Sequence, residues 1–111
     1  MKIFHYDYVE AKDAEGGSSK VKVRWLIDKN IGAKNFFMRM FEIEPDGYTP
    51  FHVHDWEHEV FILEGEGVVV SEDEVKIFRA GDVVFVPAKE KHQFRNTRKS
   101  LVKILCLIPN K

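Results

Sequence analysis

The sequence predicts an all-β fold, a jelly-roll β-barrel in a single domain spanning residues 1–111, and three observations carry that prediction. No stretch sustains apolar side chains at spacings of three and four, the mark of an amphipathic helix. Short apolar segments instead recur about every ten positions, parted by Gly, Pro, Asp and Ser. Finally, 111 residues of which 44% are hydrophobic, with nine Phe, three Tyr and two Trp, supply one modest core and no second one. The same apolar content excludes an intrinsically disordered chain.

Taken in order, residues 2–8 read as a first strand on their aromatic and β-branched content. The flexible Glu15-Gly16-Gly17-Ser18-Ser19 separates it from a strand at 21–27, and Asp28 to Asn35 fits a single helical turn or a loop equally well. A strand at 36–43 ends at Pro45-Asp46-Gly47, which has turn chemistry. Strands at 58–63, 67–70 and 75–78 follow, the last two closed into a hairpin by Ser71-Glu72-Asp73-Glu74. Ala80-Gly81-Asp82 leads into 82–86, Pro87-Ala88-Lys89-Glu90 leads into 92–96, and 102–108 completes the series. So many short antiparallel strands close into a barrel or a double-sheet jelly roll, because closure or sheet pairing removes exposed edges. Val60-Phe61-Ile62-Leu63 and Leu105-Cys106-Leu107-Ile108 are apolar on both faces. Their outer face needs a cover, and a second copy of the chain, a homodimer, is the expected one.

Charge narrows the function classes. Seventeen Lys plus Arg against eighteen Asp plus Glu give a formal net charge of -1, scattered along the chain, which argues against a nucleic-acid partner or an anionic membrane surface. Apolar runs such as Val83–Val86 fall far short of the roughly 20 residues that span a bilayer. The opening MKIFHYDYVE is charged from Lys2 and has no apolar signal core, so a cytoplasmic location is expected. A lone Cys106 forms no internal disulfide, consistent with a reducing compartment. Neither a Ser-His-Asp arrangement nor a phosphate loop points to hydrolysis or nucleotide use.

The chemistry lies in the histidines. Side chains two apart on an extended chain project to one face, so His52 and His54 can converge on one ion, and His58 shares their parity. His92 opens a later strand and can face the same interior. Four imidazoles gathered in an apolar interior would leave unpaired nitrogens without a divalent first-row metal to bind them. An exposed, solvated cluster is the structural alternative. His5 has no partner in register and reads as a hydrogen-bonding residue.

These residues sit in two motifs that resemble those of the cupin superfamily. The family's first motif runs Gly, five residues, His-x-His, three or four residues, Glu, six residues, Gly; here Gly47 is followed by four residues, His52-Val53-His54, three residues, His58, six residues and Gly65. The second motif is met by Gly81, Pro87, His92 and Asn96 at the family's spacings, with Lys89 in place of its middle glycine. Motif one thus covers 47–65 and motif two 81–96. His58 stands where most cupins have a metal-binding glutamate, with Glu57 and Glu59 as rival carboxylates beside it. Parity and the distance to Gly65 favour His58. The resemblance implies an all-histidine site like that of the small manganese cupins, with one divalent transition metal per chain, manganese favoured and iron, copper, nickel or zinc as alternatives.

Matching parity on neighbouring strands brings Arg39 or Met38, and Ile104 with Cys106, toward the site, with Phe94 beside His92 and Trp56 at the mouth. Arg39 would hold a carboxylate or enediolate beside the metal, and Cys106 would line the pocket. Each has a bland alternative, a surface charge for Arg39 and a small buried hydrophobe for Cys106. The expected function is a metal-dependent oxidoreductase of dioxygenase type acting on a small oxygenated organic molecule. A redox-neutral isomerase or lyase, or a non-catalytic small-molecule binding module with a structural metal, is the alternative.

Overall fold

Nine strands form in the computed structural model, which describes residues 1–110. They are β1 (Lys12–Asp13), β2 (Ser19–Ile27), β3 (Phe36–Tyr48), β4 (His58–Glu64), β5 (Glu66–Ser71), β6 (Val75–Arg79), β7 (Val83–Val86), β8 (His92–Arg95) and β9 (Val102–Pro109). All pair antiparallel in the order β6-β5-β8-β3-β9-β4-β7, with β2 also on β3 and β1 on β2. β3 is the pivot. Its residues 36–43 lie against β9, while Tyr48 at its far end pairs with Arg95 of β8. One strand therefore serves both halves of the curled sheet, which has the jelly-roll β-barrel form that the sequence predicts.

Alternation decides which face is core. On β4, His58, Val60 and Ile62 are buried while Glu59 and Phe61 are exposed, and on β9 Val102, Ile104 and Cys106 point inward. Ile43, Ile62 and Val102 are fully buried, with Ile104 and Phe78 nearly so. Each such side chain contributes about 1.5–3 kcal/mol through removal of its surface from water. Phe94, Ile104 and Cys106 belong both to this core and to the wall of a cavity that His52, His54, His58 and His92 also line.

Three expectations are corrected. Residues 2–8 form no strand: Tyr6–Tyr8 is a short 3-10 turn, because the His5 ring accepts the Asp7 N–H and caps it. β1 was not foreseen, its two residues being polar and exposed and held by pairing with β2 alone. Pro45-Asp46-Gly47 does not end β3. The chain passes through it as an irregular stretch, with Asp46 in the left-handed region at φ 69° and the register of β2 shifting opposite. Gly47 is required there, since a Cβ would lie 2.8 Å from the carbonyl oxygens of Glu44 and Lys20. Between residues 28 and 35 the chain takes the helical option, a turn at Lys29–Ile31 ended by left-handed Gly32. Among the described residues no helix is long and apolar enough to cross a membrane.

Candidate metal centre

His52 and His92 stand directly opposite one another. The His92 N–H donates to the His52 carbonyl at 3.0 Å and the His52 N–H to the His92 carbonyl at 3.2 Å, so an antiparallel bridge fixes both side chains on one face. His54 is held by a further backbone bond, its carbonyl accepting the Lys89 N–H at 2.7 Å. His58 opens β4 opposite Val86 and is buried, as is His92. Ring centroids are 4.1 Å apart for His52 and His54, 5.0 Å for His54 and His58, and 4.9 Å for His58 and His92. The structure thus brings the four predicted imidazoles together.

Their nitrogens bear on a metal in three ways. The Nε2 atoms of His52 and His54 are 2.8 Å apart; two ligands at right angles, each about 2.1 Å from an ion, hold their nitrogens about 3 Å apart. The buried Nε2 of His58 has no hydrogen-bond partner, an expensive state for a polar atom. His92 places Nδ1 3.0 Å from the Glu90 carbonyl, which can only accept. Its proton therefore sits on Nδ1, and Nε2 keeps a free lone pair, the tautomer that metal-bound histidines take. Among the described residues no set of three or more donors already stands at ion-holding geometry. His52 and His54 turn toward each other and share a hydrogen bond. The backbone bridge sets the register of His52 against His92. The donor set thus fits a divalent first-row metal.

Electrostatics favours the neutral form that a ligand needs. Burial, then the charges of His92 and Arg39, push His58 down to about 3. His52 is lowered by burial and by the same two neighbours. His92 is lowered by burial, with the Glu90 carbonyl opposing.

A cavity of about 370 Å³ opens beside the rings. Of the two parities open for β3, the odd one lines it: Arg39 and Phe41, with Ile104, Cys106 and Phe94. Arg39 lies opposite Trp25 on one side and Cys106 on the other. Its Nη2 donates to Cys106 Sγ at 3.2 Å, and its guanidinium centre lies 5.2 Å from the Trp25 ring centroid and 4.9 Å from that of Phe41. Cys106 Sγ is also 3.4 Å from His58 Nδ1. Burial raises the Cys106 thiol pKa and Arg39 opposes the rise, so the thiol stays neutral.

The rival carboxylates face elsewhere: Glu57 and Glu59 line a recess with Phe36 and Leu107 on the outer face. Trp56 stacks on His54 with centroids 4.3 Å apart. Sequence reading missed Trp25, Phe41 and Thr49 as wall residues. For Trp25 the signal was present, because Val21, Val23 and Trp25 alternate along β2. Lys89, at the motif's glycine position, adopts φ 68°, a conformation that glycine takes at little cost. Asn96, the motif's last residue, donates to the Ile43 and Ser100 carbonyls at 2.9 and 2.8 Å and so ties the loop after β8 to β3.

Comparison with known proteins gives concordant results. A family model described as a cupin domain matches residues 39–108. An oxalate-binding protein of Thermotoga maritima is 31% identical over 96 residues, covering 84% of this chain and 78% of that protein. An uncharacterized protein of Methanocaldococcus jannaschii is 32% identical, covering 96% of this chain and 86% of its own. The solved structure of the polyketide cyclase RemF from Streptomyces resistomycificus superposes with a TM-score of 0.93 at 34% identity, covering 100% of this chain and 80% of that one.

Proposed function

The chain belongs to the cupin family, and from that premise we propose that it is a metal-dependent oxidoreductase of dioxygenase type acting on a small oxygenated organic molecule. The observation that carries the metal requirement is the orphaned, buried Nε2 of His58 among three further imidazoles. His52, His54, His58 and His92 would hold one divalent ion per chain. Manganese is favoured by the likeness to the small four-histidine cupins, and iron, copper, nickel or zinc also suit imidazole. Such an ion supplies Lewis-acid polarisation of a substrate oxygen.

The chain's own residues do the rest. Phe41, Phe94 and Ile104 give the cavity apolar walls that limit water, which strengthens every charge interaction inside. Arg39 offers a fixed positive charge to an anionic oxygen. Cys106 takes the Nδ1 side of His58 and Glu90 that of His92, so both rings present Nε2 inward. The second reading, a binding module or a redox-neutral isomerase or lyase, draws support from the Thermotoga maritima relative, which is named for binding oxalate.

Elemental analysis of untagged protein, paired with an oxygen-electrode screen of small enols, diketones and catechols, tests the proposal. About one manganese or iron per chain with substrate-dependent oxygen uptake is expected. Metal without uptake across the screen favours the second reading, and no metal after reconstitution overturns both.

A further inference from the structure

We propose that the cavity selects a small carboxylate with a planar apolar body, and that Arg39 is the residue that recognises its charge. The proposal rests on the cavity as a ligand site but not on the identity of the ion or of the reaction. A cation partly withdrawn from water is normally paired with an anion, yet none of the ion pairs among the described residues involves the half-buried Arg39. Two aromatic rings hold it instead, Trp25 and Phe41 at 5.2 and 4.9 Å. Rings stabilise the positive charge and leave the N–H donors unspent. Nη2 gives one bond to Cys106 Sγ, a weak acceptor, and the buried Nε gives none. A planar fork with unspent donors matches a carboxylate. The acidic residues that also line the cavity are Asp13, engaged by Lys22 at 3.1 Å, and Glu15, and neither forms an ion pair with Arg39.

The walls define the rest of the ligand. Val23, Phe41, Phe94 and Ile104 bring only apolar side-chain atoms, and about 370 Å³ is far more than a two-carbon dianion fills. Pockets of this size, mostly apolar with a few placed polar groups, suit a molecule with a hydrophobic body. Flat surfaces at Trp25 and Phe41 favour a flat one.

Calorimetric titration of the full chain, as purified and after manganese loading, with cinnamate, cinnamamide, acetate and oxalate tests this. Cinnamate is expected to bind about 10- to 100-fold more tightly than cinnamamide, the range of a charge-assisted hydrogen bond. Acetate and oxalate are expected to bind more weakly than cinnamate. Arg39→Met should lose the preference for the acid over the amide, and Arg39→Lys should restore part of it. Equal binding of acid and amide to the wild-type chain, an undiminished preference in Arg39→Met, or oxalate binding as tightly as cinnamate overturns the proposal. The wild-type comparison stands even if Arg39→Met does not fold. Metal content of the same samples separates the two ideas. Metal without carboxylate preference sinks this inference alone, and the preference in protein that never holds metal sinks the metal reading alone.

Discussion

Burial holds His58 neutral down to about 3, whereas in the unfolded chain the same ring titrates near 6.5. Between those values the unfolded state binds a proton that the folded state refuses, so stability falls as pH falls through that window. The metal-free protein should therefore lose thermal midpoint from about pH 6.5 downward, and His58→Phe should flatten part of the slope, as scanning fluorimetry across pH would record. An equal slope in the variant would contradict this account. His52→Ala and His92→Ala should each cut metal content well below the wild-type ratio; full stoichiometry in both would show that the ligand assignment is wrong. Lys89 allows a test of opposite sign. Its left-handed φ of 68° costs a side-chain-bearing residue about 1–2 kcal/mol, which glycine's greater unfolded entropy partly offsets. Lys89→Gly should stabilise the fold by about 0.5–1 kcal/mol, read as a denaturant midpoint shifted upward at unchanged slope.

At the scale of elements, Gly67 shows how closely β5 and β8 approach. A Cβ there would overlap the Arg95 carbonyl oxygen and lie 2.9 Å from the Phe78 ring. Gly67→Ala should destabilise by about 3 kcal/mol or more, since neither backbone nor packed ring can give way, and chemical denaturation would measure the loss. Much of this architecture was legible in the sequence, because strand alternation and turn residues act locally. His52 and His54 could be placed on one face from spacing alone. What spacing left open was whether β3 presents Met38 or Arg39, since a strand's phase is set by its neighbours, and only the pairing of Arg39 with Trp25 and Cys106 fixes it. The absence of a strand at residues 2–8 has a related reason. Residues 2–8 have β-prone side chains but no neighbouring strand to pair with, and β propensity without a partner decides nothing. Pro45-Asp46-Gly47 has turn composition, yet pairing on both sides of it carries β3 through.

For the whole molecule, the outer face of β4, β7 and β9 is the unfinished part. Phe61, Val83 and Phe85 are exposed there, with Leu105 and Leu107 alongside. A two-fold dimer that covers this face is the proposed assembly, since so contiguous an apolar patch is uncommon on a monomer. Light scattering should give twice the 13.0 kDa chain mass. Phe85→Glu should shift the species to monomer without altering metal content, whereas a wild-type monomer at micromolar concentration would remove the proposal.

β9 also bears on how the chain is made. It is inserted between β3 and β4, which leave the ribosome many residues ahead of it. Until it arrives, these two strands have open facing edges and nothing to zip them together. The barrel is therefore completed late, after most of its strands have been synthesised. In that interval the apolar stripes of β3 and β4 are what a nascent-chain chaperone would meet.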